Sequence, residues 1–214
     1  MTDPCRYQSP IPLTFEDITP IHQCLDTRGK NRGAEYIPEL KVFEVKNTII
    51  LYKGSKKIKD HVVTDPKKYR LMEYHFHVPS EHSILGDKYP AEIHYVFYEI
   101  DNSYKANSDV NKRKLFDVHS GDNPSNDNIL IIARVIIDDR NVYPVLEKLQ
   151  VRVPMIYFEY DGSLTGEGDN KETVPVRWIV GKCPIKMSVD EIKQVAKTSR
   201  PLQPLDDRII LFSC

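Results

Sequence analysis

The chain has 214 residues, enough for one domain with a single sizeable core. A formal net charge of −1 excludes strong bulk attraction to nucleic acid or to a membrane surface. No apolar run approaches the roughly 20 residues that a membrane-spanning helix needs.

From the N-terminus onward, MTDPCRYQSP lacks the charged-then-apolar pattern of a secretory leader. Cys5, Cys24, Cys183 and Cys214 are too widely spaced for a metal or redox motif. Both features favour a reducing, cytoplasmic setting. Val42–Tyr52 reads as the first strand. Lys53, Lys56, Lys57, Lys59, Lys67, Lys68 and Arg70 then face only Asp60 and Asp65. Such a stretch is the mark of a hairpin or edge strand kept soluble by lysines, and its alternative use is contact with a polyanion. Further runs rich in Val, Ile, Tyr and Phe follow at Arg70–Val78, Glu92–Ile100, Ile129–Ile137, Met155–Tyr160 and Val174–Val180. In ILIIARVII both faces are apolar, as in a central strand covered on two sides. Between these runs, residues 101–128 are polar and read as a long exposed loop or insertion.

Two short helices are expected. NVYPVLEKL tolerates Pro144 in a first turn. In SVDEIKQVAK, Ser188 and Glu191 have capping-box spacing, and Ile192, Val195 and Ala196 form an apolar stripe. The expected fold is a strand-dominated α+β single domain over residues 1–214.

Four of the seven histidines fall between positions 75 and 94. Alternate side chains of a strand share a face, so His75, His77 and Glu73 point one way, as do Glu92, His94 and Val96. Antiparallel pairing of the two runs brings three imidazoles to one point, with two carboxylates behind them. Three neutral imidazoles leave a tetrahedral zinc one open position, the catalytic pattern, whereas structural zinc sites are usually closed by thiolates. No cysteine lies in this stretch.

HFHVPSEH followed by PAEIHYVF resembles the zinc-binding core of the alpha-class carbonic anhydrases. QSPIPL at 8–13, YDGSLTGEG at 160–168, VRWIV at 176–180 and SRPLQPLDDR at 199–208 are similar to further segments of that family, in family order. The resemblance covers residues 8–208. It implies a large, mostly antiparallel central sheet carrying Zn2+ on His75, His77 and His94, and reversible hydration of carbon dioxide to bicarbonate. It further implies that Thr165 orients the attacking oxygen and donates to Glu81, that Glu92 supports His94 and Glu73 supports His75, and that His82 belongs to the same network without being a ligand. Val96, Ile131, Leu164, Val176 and Trp178 would form the apolar pocket for uncharged carbon dioxide.

Departures from the family pattern carry their own expectations. The family usually has Gln where Glu73 stands, and a carboxylate there makes His75 a stronger donor and the zinc a weaker Lewis acid. Lys46 stands near the position of the proton-shuttling histidine, and an ordinary lysine, with a pKa of about 10.4, relays protons poorly at neutral pH. His22, His61 and His119 remain as substitutes. The loop GEGDNKETVP lacks the family's Thr-Pro-Pro and is acidic, which disfavours anionic inhibitors. Secreted members pair an early cysteine with one just after the Ser-Leu-Thr turn. Cys5 matches the first, but none follows Thr165 before Cys183. Cys214 leaves open an intermolecular bridge and a homodimer, or neither. The rival function is a carbonic-anhydrase-like module with weak or lost catalysis, binding a polyanion such as a glycosaminoglycan, or a protein, while retaining zinc.

Overall fold

A computed structural model of the protein describes residues 7–15, 18–20, 37–45, 48–56, 63–100, 129–142, 151–165 and 174–213. The polar stretch 101–128, most of the helix expected from NVYPVLEKL, the acidic loop 166–173 and Lys46 lie outside the described residues, as do Cys5, Cys24 and Cys214. In chain order the elements are β1 (Pro12–Leu13), β2 (Ile18–Pro20), β3 (Ile37–Val45), β4 (Thr48–Lys56), β5 (Val63–Val78), β6 (Ser83–Ile84), β7 (Asp87–Lys88), β8 (Ala91–Ile100), β9 (Ile129–Asp138), β10 (Tyr157–Ser163), β11 (Pro175–Met187), α1 (Val189–Lys193), β12 (Lys197–Thr198) and β13 (Ile210–Ser213).

Strands dominate, as composition and patterning require, and one ten-stranded sheet carries the molecule. Its order is β2-β13-β10-β11-β9-β8-β5-β4-β3, with β12 beside β5. Neighbours are antiparallel except β9–β11, β2–β13 and β5–β12. A small second sheet, β1-β6-β7, stands apart from it. β9 is buried along nearly its whole length, in keeping with apolar side chains on both faces.

Two strand expectations change. Val42–Tyr52 is not one strand: β3 and β4 form a hairpin in which Val45 pairs with Thr48. The reversal carries no Gly or Pro, and the polar break Lys46-Asn47-Thr48 is its only sequence mark. The helix expected over 188–197 is confined to Val189–Lys193, and Lys197–Thr198 instead joins the sheet. Ser188 occupies the N-cap position without a side-chain bond, and Asp138 Oδ1 accepts from the Val189 N–H at 2.9 Å in its place.

Each face of the sheet has its own core. One contains Leu51, Tyr69, Phe76, Ile93, Tyr95, Phe97, Ile132 and Ile179, with Val189 and Ile192 of α1 over it. The other contains Val96, Ile131, Phe158, Tyr160, Val176 and Trp178, covered by Ile11, Leu13 and Ile84 of the N-terminal segment and the small sheet. The first face curls until β4 meets β10, although β11, β9, β8 and β5 separate them in sheet order. Lys53 Nζ there pairs with Glu159. Arg177 Nη1 reaches the same Oε1 at 2.8 Å, and Nη2 lies 2.9 Å from Asp161. Burial lowers the Lys53 pKa while Glu159 opposes the shift. Lys67, also from the basic stretch, donates to Glu99 at 2.9 Å.

Glu159 is 2% exposed, and its neutralisation leaves the buried Lys53 ammonium without its ion-pair partner, while Arg177 keeps Asp161. Glu159→Gln is expected to cost about 3–5 kcal/mol in urea unfolding. Asp161→Asn, at a largely exposed carboxylate, should cost about 1 kcal/mol or less. Equal losses would show that this cluster does not hold the curled sheet.

Candidate metal centre

Pairing of β5 with β8 places His75 directly opposite His94 and His77 opposite Glu92. A bulge between Leu71 and Glu73 sets this register. Before it Tyr69 and Leu71 face the Phe97 core; beyond it Glu73, His75 and His77 face the other side. One ring nitrogen from each of His75, His77 and His94 lies within 4.8 Å of the others. The ring centroids are 4.7–5.3 Å apart.

Hydrogen bonds fix which nitrogen is bare. Glu92 accepts from His94 Nε2 at 3.0 Å, and this carboxylate oxygen can only accept. His94 Nδ1 therefore carries the lone pair, and it is buried without a partner. Likewise His77 Nδ1 donates to the Thr198 carbonyl at 3.1 Å, leaving Nε2 buried and unpartnered. Two bare, desolvated imidazole nitrogens beside a third ring fit a metal ion and little else. His75 Nδ1 lies 3.2 Å from Glu73 Oε1, off the line a hydrogen bond needs, and Glu73 is largely exposed.

Burial, assisted by the His94 ring, lowers His77 to about 4. Burial lowers His94 to about 4 as well, against the pull of Glu92. Both rings are neutral at pH 7, the state a metal requires. Burial opposes ionisation of Glu92, but His82 and the His94 hydrogen bond outweigh it and hold the carboxyl well below its usual range.

His82 stands within reach of Glu92 and His94, yet both its nitrogens are engaged. Nδ1 donates to Glu92 Oε1 at 2.6 Å, and Nε2 meets the Tyr160 hydroxyl at 2.7 Å. Tyr160 continues to Ser9 Oγ at 3.2 Å, and Ser9 accepts from Ser163 N at 3.2 Å. Gly162 permits this approach, since a Cβ there would run into Ser9 Oγ. Trp178 Nε1 donates to Ser163 O at 3.0 Å. The turn carrying Leu164 and Thr165 is thus tied to the N-terminal segment. Thr165 is nearly buried.

Glu81 is fully buried, with Oε1 accepting from Arg200 N at 2.8 Å and lying 3.3 Å from His77 Nδ1. Its Oε2 has no partner, so no hydrogen bond joins it to Thr165. Val96, Ile131, Val176 and Trp178 are buried in one cluster with Leu164 against it, and the Trp178 ring lies 4.9 Å from that of His94. Sequence reading missed Tyr160, Ser9, Thr198 and Arg200 as partners in this network. None carries a spacing signal, and two of them act through backbone atoms.

Comparison with known proteins gives one family. The model of eukaryotic-type carbonic anhydrase matches residues 4–214. A carbonic anhydrase of Pectobacterium carotovorum is 28% identical over 157 residues, covering 70% of this chain and 61% of that protein. One from Nostoc is 24% identical over 220 residues, covering 96% of this chain and 75% of the other. The chain thus spans only about 61% of the length of the Pectobacterium relatives it matches. The fold is shared with the alpha-carbonic anhydrase of Thermovibrio ammonificans, solved with sulfanilamide (TM-score 0.57, 24% identity, 96% of this chain and 86% of that one). It is shared equally with dioscorin, solved with ascorbate (TM-score 0.55, 15% identity, 96% and 85%).

Lowered histidines make the metal-free protein acid-sensitive. From an ordinary 6.5 down to about 4, the unfolded chain binds protons that His77 and His94 refuse. Their stabilising contribution is therefore complete above about 6.5 and is lost as pH falls towards 4. The urea midpoint of the metal-free protein should drop across this window, and His77→Asn should flatten the slope. An unchanged slope in the variant would contradict the assignment.

Proposed function

The chain belongs to the eukaryotic-type carbonic anhydrase family, and on that premise we propose that it catalyses reversible hydration of carbon dioxide to bicarbonate and a proton, with zinc as its metal. The observation that carries this reading is the pair of buried, unpartnered nitrogens, His77 Nε2 and His94 Nδ1, beside His75. His75, His77 and His94 would hold the ion. When bound through three neutral imidazoles, zinc supplies a Lewis acid that acidifies water at its open position.

The other residues have roles that follow from their surroundings. Glu92 keeps His94 in the tautomer that turns Nδ1 toward the metal, and the Thr198 carbonyl does the same for His77 Nε2. Thr165 would accept from the attacking oxygen and donate to Glu81, whose Oε2 has an unused lone pair and no access to solvent. This pairing turns an oxygen lone pair toward carbon dioxide, which has no charge and is held by apolar contact alone. Val96, Ile131, Leu164, Val176 and Trp178 supply such a surface on the same face of the sheet. Glu73 would hold the outer side of His75. The product proton must then leave, and Lys46 near the usual relay position is a poor carrier at neutral pH.

Stopped-flow carbon dioxide hydration with metal analysis tests the proposal. The wild type is expected to hold one zinc and to be active. His94→Ala should lose both properties, whereas Thr165→Ala should retain zinc and lose about 10–100-fold in kcat. Zinc content without hydration, together with tight heparin binding, would replace this reading with the binding-module one. Slow proton export has a separate signature: wild-type turnover should rise with the concentration of an imidazole-type buffer. Fast turnover independent of buffer would refute the missing relay.

A further inference from the structure

Ser80-Glu81-His82 links the metal-bearing strand β5 to the β6–β7 hairpin, and nearly every backbone polar group of this link has an assigned partner. Ser80 N donates to Tyr89 O at 2.9 Å, and Tyr89 N returns a bond to Ser80 Oγ at 3.0 Å. Ser80 Oγ donates to His82 O at 2.8 Å, and His82 N donates to Glu92 Oε2 at 2.8 Å. The carbonyls of Ser80 and Glu81 remain, and both are taken by one side chain. Lys88 Nζ donates to Ser80 O at 3.1 Å and to Glu81 O at 2.7 Å.

Lys88 is an exposed residue on a two-residue strand, where an ammonium ordinarily turns to water. Here the hairpin aims it inward. Leu85 and Gly86 both have positive φ, 55° and 88°, the two-residue reversal that brings Lys88 back opposite Ser83. The buried carboxylates of Glu92 and Glu81 add attraction from behind the carbonyls. Glu81 itself lies behind two of the three converging rings, 3.3 Å from His77 Nδ1 and 4.0 Å from His94 Nε2. A small rotation of the 80–82 backbone would therefore move a buried carboxylate against both.

We propose that Lys88 is a positioning residue: its ammonium, clamped on the carbonyls of Ser80 and Glu81, fixes the backbone that carries the Glu81 carboxylate behind His77 and His94. This role rests on the proposed metal-dependent function of the same site. Charge-assisted donation to carbonyls is stronger than a neutral bond, and it suits a segment with no strand ladder to hold it. Lysine in DKYP has no sequence signal beyond that of a turn residue, and only the hairpin geometry reveals it.

The test uses the full chain loaded with zinc. Lys88→Met keeps the reach and removes every donor, while Lys88→Arg keeps donors. Lys88→Met should release zinc to a chelator about tenfold faster and lower kcat about tenfold, with KM within about twofold and the starting zinc content unchanged. Lys88→Arg should return both rates to within about threefold of wild type. A lowered thermal midpoint with both rates unmoved would overturn the assignment, because a merely structural lysine predicts that result. An independent readout is the ammonium signal of Lys88 in 15N NMR of the wild type, expected to exchange slowly with water. Fast exchange would overturn the clamp. If the wild type binds zinc but hydrates no carbon dioxide, the functional reading fails, whereas zinc release and NMR still decide the role of Lys88.

Discussion

The pairing register of β5 with β8 is the constraint from which the rest of the site follows. Side chains alternate across a strand, so a slip of one residue would turn His75 and His77 into the Phe97 core and leave His94 facing them through the sheet. Two features resist that slip. The extra residue at Met72 changes parity once, letting Tyr69 and Leu71 join one core while His75 and His77 join the other face. Beyond it, Phe76, Ile93 and Tyr95 are buried on the first face and would be forced against polar partners if the register moved. Hydrophobic burial on one face thus specifies polar geometry on the other.

Polar burial of this kind is tolerable only when each group is satisfied. Glu92, His82 and His94 are all fully buried, and Glu92 serves the two rings and the His82 N–H with its two oxygens. The chain of contacts runs on through Tyr160 to Ser9, so the N-terminal segment closes a network whose other end touches the converging histidines. Arg200 and Arg208 add to this closure by donating to the carbonyls of Ser9 and Gln8. Against this background the unpartnered nitrogens of His77 and His94 stand out. They sit with His75 Nδ1 and Glu81 Oε2, also buried and unpartnered, so the unfilled hydrogen-bonding capacity of the network is concentrated around the converging rings.

Period-two alternation is a local property, so EYHFH puts His75 and His77 on one face of their strand and AEIHYVF puts His94 with Glu92, while strand pairing brings the two groups together. The antiparallel pairing itself is what the structure supplies, with His75 opposite His94. What escaped was non-local or lacked a residue signature. The β3–β4 reversal carries neither Gly nor Pro, and the bulge at Met72 is visible only once Leu71 has a partner strand. Thr198 acts through its carbonyl and Arg200 through its N–H, which no side-chain pattern can announce. α1 ends at Lys193 because strand pairing at Lys197 competes with a helix pattern under three turns long.

Fold likeness alone does not fix what a site takes up, since the architecture is shared with a carbonic anhydrase solved with sulfanilamide and with dioscorin solved with ascorbate. The distinction lies in donor chemistry. A ligand without hydrogen-bond donors gains nothing from two buried imidazole nitrogens left unpartnered, since each desolvated nitrogen lowers stability unless a ligand fills it. A cation gains from both at once, and it gains more because burial already keeps the rings unprotonated. The same desolvation that costs stability at these nitrogens is thereby what readies them for a metal. A metal ion needs its ligands together, so the convergence of all three rings on one face, set by a single strand register, is what makes this site fit such an ion.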